Sequence, residues 1–140
     1  MYQVHIVVLL RHNFSLLKRK LIILIVDDNK FFIERMIGLL QEAEGIGYIN
    51  VAHDYDEAYR CINQERPDLV LLDINLPGKN GIDLLREIKQ SDLKCSVVMI
   101  SNHDNEYYRQ QCKQLGAEHF LDKSTDFGMV PMIINEIYMS

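Results

Sequence analysis

The sequence predicts an α/β fold: a doubly wound, five-stranded parallel sheet with helices on both faces. Five short apolar runs alternate with segments that carry apolar residues at helical spacing, which is typical of a parallel sheet joined by helices. Three of the runs are continuously apolar, as expected of strands that are covered on both faces. Acidic side chains follow several runs at the point where each strand should end, so the same pattern also predicts where chemistry would collect.

The predicted strands are the apolar runs themselves. They cover Leu21–Val26, Tyr48–Ala52, Leu69–Leu72, Val97–Ile100 and His119–Leu121. The first, third and fourth runs are continuous, whereas the second and fifth are weaker. Central strands of a parallel sheet are buried on both faces. We therefore expect the second and fifth strands to lie at the edges of the sheet.

Helical patterns fill the intervals between the runs. The predicted helices cover Asn29–Glu44, Asp56–Gln64, Gly81–Gln90, Asn105–Leu115 and a last segment that begins at Val130, with Pro131 in its first turn. In the first three, apolar residues recur at three- and four-residue spacing, which places them on one face of a helix. Gly45 and Gly116 are expected to end two of the helices, because glycine readily adopts the left-handed conformation found there.

Length, composition and charge exclude several classes of protein. With 140 residues, 48% of them hydrophobic, the chain can form one domain with its own core and is not a disordered segment. A net charge of -5 argues against a general nucleic-acid surface, which needs clustered Lys and Arg. The longest uninterrupted apolar run is far shorter than the roughly 20 residues that cross a bilayer. We expect a soluble, cytoplasmic protein with no nucleic-acid or membrane partner.

Residues 1–17 stand apart from the strand–helix alternation. Their apolar piece fits either an extra edge strand or a turn of helix, and the pattern does not decide between these. The rest of the chain contains neither an internal repeat nor a low-complexity segment. We expect an N-terminal extension over residues 1–17, followed by one domain over residues 18–140.

Polar side chains gather at one edge of the predicted sheet. Asp27 and Asp28 follow the first run, and Asp73 follows the third. Ser101 ends the fourth run, and Lys123 comes just after the fifth. Ligands of open α/β sheets bind outside the carboxyl ends of the strands. We therefore expect three carboxylates, a hydroxyl and an ammonium group to meet at one site.

Each of these residues has an ordinary structural role when it is taken alone. Asp28 or Asn29 could cap the first helix, and Asp73 could form a turn. Together they are less ordinary, because two carboxylates about 4 Å apart at a partly buried site repel by roughly 4 kcal/mol. Such a pocket needs a cation or a proton, and all-oxygen ligands suit Mg²⁺. A metal, a free carboxylate, a hydroxyl and an ammonium group suit a phosphoryl group that an aspartate accepts as an acyl phosphate.

Four stretches carry a resemblance to a known family. They are "VDDN" at 26–29, "LLDINLPGKNG" at 71–81, "VVMIS" at 97–101 and "FLDKS" at 120–124. In their order and spacing they resemble the receiver domains of two-component response regulators, here of the stand-alone, single-domain type. The resemblance covers about residues 18–140 and implies a flavodoxin-like fold with strand order 2-1-3-4-5.

The resemblance also implies a role for each acidic residue of the site. Asp73 would be the phosphoacceptor. Mg²⁺ would be held by Asp27, Asp28 and Asp73, together with the backbone carbonyl of Asn75. The chemistry of the chain itself would be Mg²⁺-dependent self-phosphorylation and slow self-dephosphorylation, so the chain would not be a conventional enzyme.

The other implied roles concern the phosphoryl group and its effect. Ser101 and Lys123 would bind its oxygens. Ser101 and Phe120 would form a switch that alters the surface of the fourth helix, fifth strand and fifth helix. Phe120 stands where the family often has tyrosine, so this switch would work by packing alone. We also expect Asn75 and His103 to modulate hydrolysis of the acyl phosphate.

The expected function is a phosphorylation-controlled signalling module. Its donor would be a phosphohistidine on a sensor histidine kinase or a histidine phosphotransfer protein, and its output a protein contact or a homodimer. One alternative is a receiver-like interaction module that never takes phosphate. Another is a phosphohydrolase of the haloacid dehalogenase type, which normally has a second aspartate as general acid at the position occupied here by Asn75.

Overall fold

A single five-stranded parallel sheet organises the protein. The structure is a computed structural model that describes residues 19–102 and 105–140. The strands are β1 (Leu21–Val26), β2 (Ile46–Ala52), β3 (Leu69–Asp73), β4 (Ser96–Ser101) and β5 (His119–Asp122). They lie in the order β2-β1-β3-β4-β5, which confirms the predicted fold class and strand order. The predicted extension over residues 1–17 and the predicted hydrolysis modulator His103 lie outside the described residues.

In the part of the chain that the structure describes, five α-helices connect or follow the strands. They are α1 (Lys30–Leu40), α2 (Tyr55–Glu65), α3 (Gly81–Gln90), α4 (Glu106–Gln114) and α5 (Val130–Met139). A short 3₁₀ turn over Phe127–Met129 leads into α5. Within the described ranges, no helix combines the length and the apolar character that crossing a bilayer requires.

The first four helices each begin with a side chain that accepts a hydrogen bond from the helix backbone. The four capping residues are Asn29, Asp54, Asn80 and Asn105. Such caps satisfy N–H groups that have no partner inside the helix. Because Asn29 caps α1, its neighbour Asp28 is left available for another role.

The sheet separates two apolar cores. Successive residues of a strand point to opposite faces, so Leu69 and Leu71 of β3 enter one core, while Val70 and Leu72 enter the other. Helices α1 and α5 cover the first of these faces, and α2, α3 and α4 cover the second. Burial on both faces explains why the central strands are continuously apolar in sequence.

Helix α1 ends at Leu40, so the predicted end at Glu44 was wrong. The backbone N–H groups of Glu42 and Ala43 donate to carbonyl groups three residues earlier, at 3.2 Å and 3.0 Å. These bonds form tight turns instead of continuing the helix. Gly45 has a left-handed φ of 87°, which sends the chain into β2. The glycine therefore lies after a turn and does not cap the helix directly.

The strand ends define the position of the site. Strands β3 and β4 each run one residue further than predicted, so Asp73 and Ser101 are the last residues of their strands. Residue Asp73 is paired in register with Ile100 of β4, and Ser101 is paired with Asp122 of β5. The carboxyl ends of neighbouring parallel strands therefore place these polar residues along one edge of the sheet.

A close backbone approach holds the loop between β3 and α3. The N–H of Gly81 donates to the carbonyl of Ile74 at 2.7 Å. A Cβ atom at Gly81 would lie 2.0 Å from the carbonyl oxygen of Asp73 and 2.9 Å from its carbon. Only glycine allows this contact, which fixes the loop directly behind the Asp73 carboxylate.

We predict opposite effects for alanine at two glycines. Gly81→Ala forces backbone atoms apart and should lower the free energy of unfolding by about 1–3 kcal/mol. Gly38 lies on the exposed side of α1 with no atom within 4 Å of an added Cβ. Gly38→Ala should therefore raise the free energy of unfolding by about 0.5–1 kcal/mol. Urea unfolding of both variants measures the difference, and equal stability of Gly81→Ala and the parent would contradict the account.

Candidate functional site

Three carboxylates converge at the carboxyl edge of the sheet. One oxygen each of Asp27, Asp28 and Asp73 lies within 4.8 Å of the other two. Asp27 and Asp73 are buried, with relative exposures of 1% and 6%, whereas Asp28 is exposed. The structure therefore brings together the three acids that the sequence predicted, and one of them faces solvent.

Backbone hydrogen bonds fix the first of these acids. The backbone N–H of Asp27 donates to the carbonyl of Ala52 in β2 at 3.0 Å. Its Oδ1 accepts from the N–H of Asn29 at 2.8 Å. Its Oδ2 is buried and has no hydrogen-bond partner among the described residues. That oxygen therefore keeps its lone pairs for a charge or a ligand.

The ammonium group of Lys123 lies between the two buried acids. Its Nζ is 2.7 Å from Asp27 Oδ2 and 3.3 Å from Asp73 Oδ2, where it donates a hydrogen bond. The contact with Asp27 is a buried ion pair. The backbone N–H of Lys123 donates to the carbonyl of Ser101 at 2.9 Å, which anchors the lysine to β4. The described chain contains no cis peptide bond, so the Lys123–Ser124 bond is trans.

Burial raises the pKa of the Asp73 carboxyl group. Loss of water around the carboxyl group, followed by repulsion from Asp27, raises its pKa above the ordinary value. The Lys123 ammonium and the N–H of Asn75, which donates to Asp73 Oδ1 at 3.2 Å, act in the opposite direction. The net effect is a carboxylate that is costly to keep charged until a cation joins the pocket.

The remaining predicted site residues lie around this cluster. Ser101 is buried at the end of β4, one residue after the residue that pairs with Asp73. Asn75 is exposed and reaches the cluster through its backbone N–H. Phe120 is half-buried on β5 and packs against the core under α4. The structure thus places Ser101 and Asn75 near Asp73 in the fold, whereas Phe120 lies two residues before the carboxyl end of β5.

Two contacts were not predicted from the sequence. The guanidinium carbon of Arg109, on α4, lies 4.8 Å from the centre of the Phe120 ring, and its Nη1 donates to the Phe120 carbonyl at 3.0 Å. The ring of Phe32, on α1, lies 4.5 Å from the Nζ of Lys123. Neither pair shares a motif or a sequence spacing. Only the aromatic residue among the aliphatic positions of α1 could have drawn attention to Phe32.

The donor set fits an oxygen-preferring divalent cation. Three carboxylates and one ammonium group leave a net charge of two negative units when all are ionised. Asp27 offers a buried oxygen without a hydrogen-bond partner, and Asp28 offers an exposed one. Mg²⁺ prefers such carboxylate oxygens together with several waters. A metal bound by Asp27, Asp28 and Asp73 would balance the excess charge of the cluster.

Comparison with known proteins identifies the family to which this fold and this acidic site belong. The family model described as the response regulator receiver domain matches residues 23–134. The chain therefore belongs to the response regulator receiver domain family. Receiver domains of this family bind Mg²⁺ at an acidic pocket and interact with histidine kinases or phosphotransfer proteins.

Individual relatives agree with this assignment. The alkaline phosphatase synthesis transcriptional regulatory protein PhoP of Bacillus subtilis is 34% identical over 103 residues, which cover 72% of this chain and 41% of PhoP. The first three curated relatives are matched over only 32% to 46% of their own length. The chain therefore spans less than half of each of these proteins.

Two solved structures are also similar to this chain. The phosphorylated cyanobacterial phytochrome response regulator RcpA is 31% identical, with a TM-score of 0.71. The Mn²⁺-bound form of the response regulator Rcp1 is 29% identical, also with a TM-score of 0.71. Each match covers 84% of this chain and 91% of the other. One of these relatives thus carries a phosphoryl group and the other a divalent cation.

The raised pKa of Asp73 predicts a stabilising substitution. Because the folded protein holds the proton more tightly, the carboxyl group opposes folding increasingly as pH rises from the unfolded pKa through the folded one. Asp73→Asn removes that charge and should raise the thermal midpoint at pH 7 in the presence of EDTA. The advantage should shrink as the pH falls toward 3. A variant less stable than the parent at pH 7 would show that the Asp73 carboxylate does not oppose folding.

Proposed function

We propose that this chain is a phosphorylation-controlled signalling domain of the cytoplasm. Asp73 accepts a phosphoryl group from a phosphohistidine on a sensor histidine kinase or a histidine phosphotransfer protein, and Mg²⁺ is required. The observation that carries the proposal is the buried ammonium of Lys123 shared between Asp27 and Asp73, with Asp28 in the same cluster. The phosphorylated and Mn²⁺-bound relatives support the same chemistry.

The proposed reaction is a direct transfer to a carboxylate. An Asp73 oxygen attacks the phosphorus, the phosphorus–nitrogen bond of the donor breaks, and the electron pair returns to the imidazole. The product is an acyl phosphate on Asp73. Bound Mg²⁺ would neutralise charge on the transferred oxygens, as divalent cations do in other phosphoryl transfers. Asp27, Asp28 and Asp73 would hold this ion, and the Asn75 carbonyl is a further proposed ligand.

Lys123 and Ser101 are proposed to bind the phosphoryl oxygens. The ammonium of Lys123 already lies 3.3 Å from the reacting carboxylate, so a phosphoryl group on Asp73 would come within its reach. Ser101 ends the neighbouring strand and would offer its hydroxyl to a second oxygen. Both contacts place positive charge or a donor where negative charge accumulates. Asn75 and His103 are proposed to influence how fast water removes the group.

The proposed output is a conformational change that begins at Ser101 and alters the packing of Phe120. Movement of the loop after Ser101 would displace α4, which follows directly. Arg109 of α4 holds both the ring and the carbonyl of Phe120, so displacement of the helix would change the packing of this ring. The surface of α4, β5 and α5 exposes the apolar side chains of Tyr107 and Met132. We propose this surface as the contact with a downstream protein or a second copy of the chain.

Incubation with acetyl phosphate tests the proposed chemistry. We expect intact mass spectrometry to show one added phosphoryl group when Mg²⁺ is present and none when EDTA replaces it. Asp73→Asn should abolish the addition, because no other residue has been assigned as acceptor. Asp92→Asn is the matched control, because that acid is 90% exposed and lies away from the cluster. No addition to the parent would favour a receiver-like module that does not take phosphate, and addition to Asp73→Asn would remove Asp73 as the acceptor.

A second substitution tests the metal site. Asp28→Asn should weaken Mg²⁺ binding at least tenfold, because it removes one proposed ligand while leaving the buried acids in place. The metal-free variant should be slightly more stable than the parent, since repulsion within the cluster falls. Isothermal titration with Mg²⁺ and urea unfolding in EDTA measure the two effects. Unchanged Mg²⁺ affinity would remove Asp28 from the proposed site.

A further inference from the structure

An aromatic ring contacts the Lys123 ammonium in addition to the two buried carboxylates. Besides Asp27 and Asp73, the Nζ contacts the ring of Phe32, whose centre lies 4.5 Å away. Phe32 is buried, with 8% relative exposure, so water screens this contact little. The face of an aromatic ring attracts cations, and the attraction strengthens when both groups are desolvated.

Hydrogen bonds of the loop fix the position of this ring relative to the acids. Asp27 Oδ1 accepts from the N–H of Asn29, and Asn29 Oδ1 accepts from the N–H of Phe32 at 3.1 Å. The Phe32 ring also packs edge-on against Phe127, at 73° and with centres 5.8 Å apart. The backbone hydrogen bond and this ring contact both restrict movement of the Phe32 ring.

We propose that Phe32 is a positioning residue for phosphoryl transfer. Its ring face keeps the ammonium of Lys123 directed at the Asp73 carboxylate, where the phosphoryl oxygen would arrive. This inference rests on the proposed function, since it assigns a reason for the geometry of Lys123 in that reaction. Phe32 acts through Lys123 and does not touch the reacting atoms.

The contribution of the ring should grow when the site is loaded. In the metal-free protein the ammonium has two carboxylate partners, at 2.7 Å and 3.3 Å. Asp27 and Asp73 would share their oxygens with a cation held by the cluster, so both contacts with Lys123 would weaken. The ring of Phe32 does not bind metal and remains as a partner of Lys123. A contact that is favoured in the loaded state increases the affinity for the phosphoryl group.

Stepwise fluorination of the Phe32 ring tests the proposal. Fluorine withdraws electron density from the ring face while its shape changes little, so each added fluorine should weaken the attraction for the ammonium. With one to four fluorines at position 32, beryllofluoride affinity at saturating Mg²⁺ should fall progressively, by about tenfold over the series. Mg²⁺ affinity should fall in the same direction but by a smaller factor than beryllofluoride affinity, because cation binding alone also makes Lys123 depend more on the ring. The same analogues at Phe31, which is 78% exposed, are the matched control and should change neither affinity.

The possible results separate the inference from the proposed function. A parent protein that does not bind beryllofluoride would overturn both. Binding by the parent with no trend at position 32, or with the same trend at position 31, would overturn the role of Phe32 alone. Phe32→Leu, which keeps an apolar side chain but no ring face, should reproduce the loss of beryllofluoride affinity. Normal affinity in that variant would also overturn the proposal.

A thermodynamic cycle measured by protein stability separates the contact of Phe32 with Lys123 from its contact with Phe127. It requires no phosphoryl chemistry. Fluorination at Phe32 should lower the thermal midpoint of the parent and have no such effect in a Lys123→Met background. If both backgrounds lose the same stability, the fluorines act through Phe127 or general packing, and the proposed contact with Lys123 is wrong.

Discussion

One buried ammonium group between two buried carboxylates is the interaction on which the site depends. Lys123 offsets part of the repulsion between Asp27 and Asp73, which would otherwise be severe at so little exposure. The offset is incomplete, because a third carboxylate, Asp28, joins the cluster and the pKa of Asp73 is raised. The protein can therefore fold with this cluster buried, although the cluster keeps a negative net charge.

That shortage of positive charge connects the structure to the proposed function. A divalent cation would balance the two excess negative charges, and a phosphoryl group would then bring further oxygens for Lys123 and Ser101 to bind. Binding of the metal or of the phosphoryl group would change the charge around the other and around the Lys123 ammonium. Their affinities would therefore be coupled through the same few atoms. In the proposed arrangement, the buried ring of Phe32 would remain a partner of Lys123 when cation and phosphoryl group are bound.

The sequence predicted the fold and the acidic cluster because both follow from local patterns. Continuous apolar runs identified the central strands, and the residues after those runs had to meet once the strands were parallel. The strand order came from the family resemblance, since apolar patterning does not determine which strands are neighbours. The end of α1 was mispredicted, because helical spacing continues into the turns over Glu42 and Ala43.

The contacts of Phe32 and Arg109 could not be predicted in the same way. Each joins a helix to a residue in or just after β5, and each depends on the direction of a long or aromatic side chain, which no spacing encodes. Phe32 has the ordinary signature of a core residue on α1, and it is one. Its second contact, with Lys123, arises because the cap at Asn29 begins the helix directly beside the acids.

The central claim is that Asp27, Asp28 and Asp73 share one cation opposite Lys123. A crystal structure of the protein with Mn²⁺ and beryllofluoride tests it most directly. We predict an anomalous scattering peak bound by those three aspartates, with beryllofluoride on an Asp73 oxygen and the Lys123 ammonium bound to a fluorine. Manganese bound elsewhere, or an empty cluster beside a bare Asp73, would contradict the account.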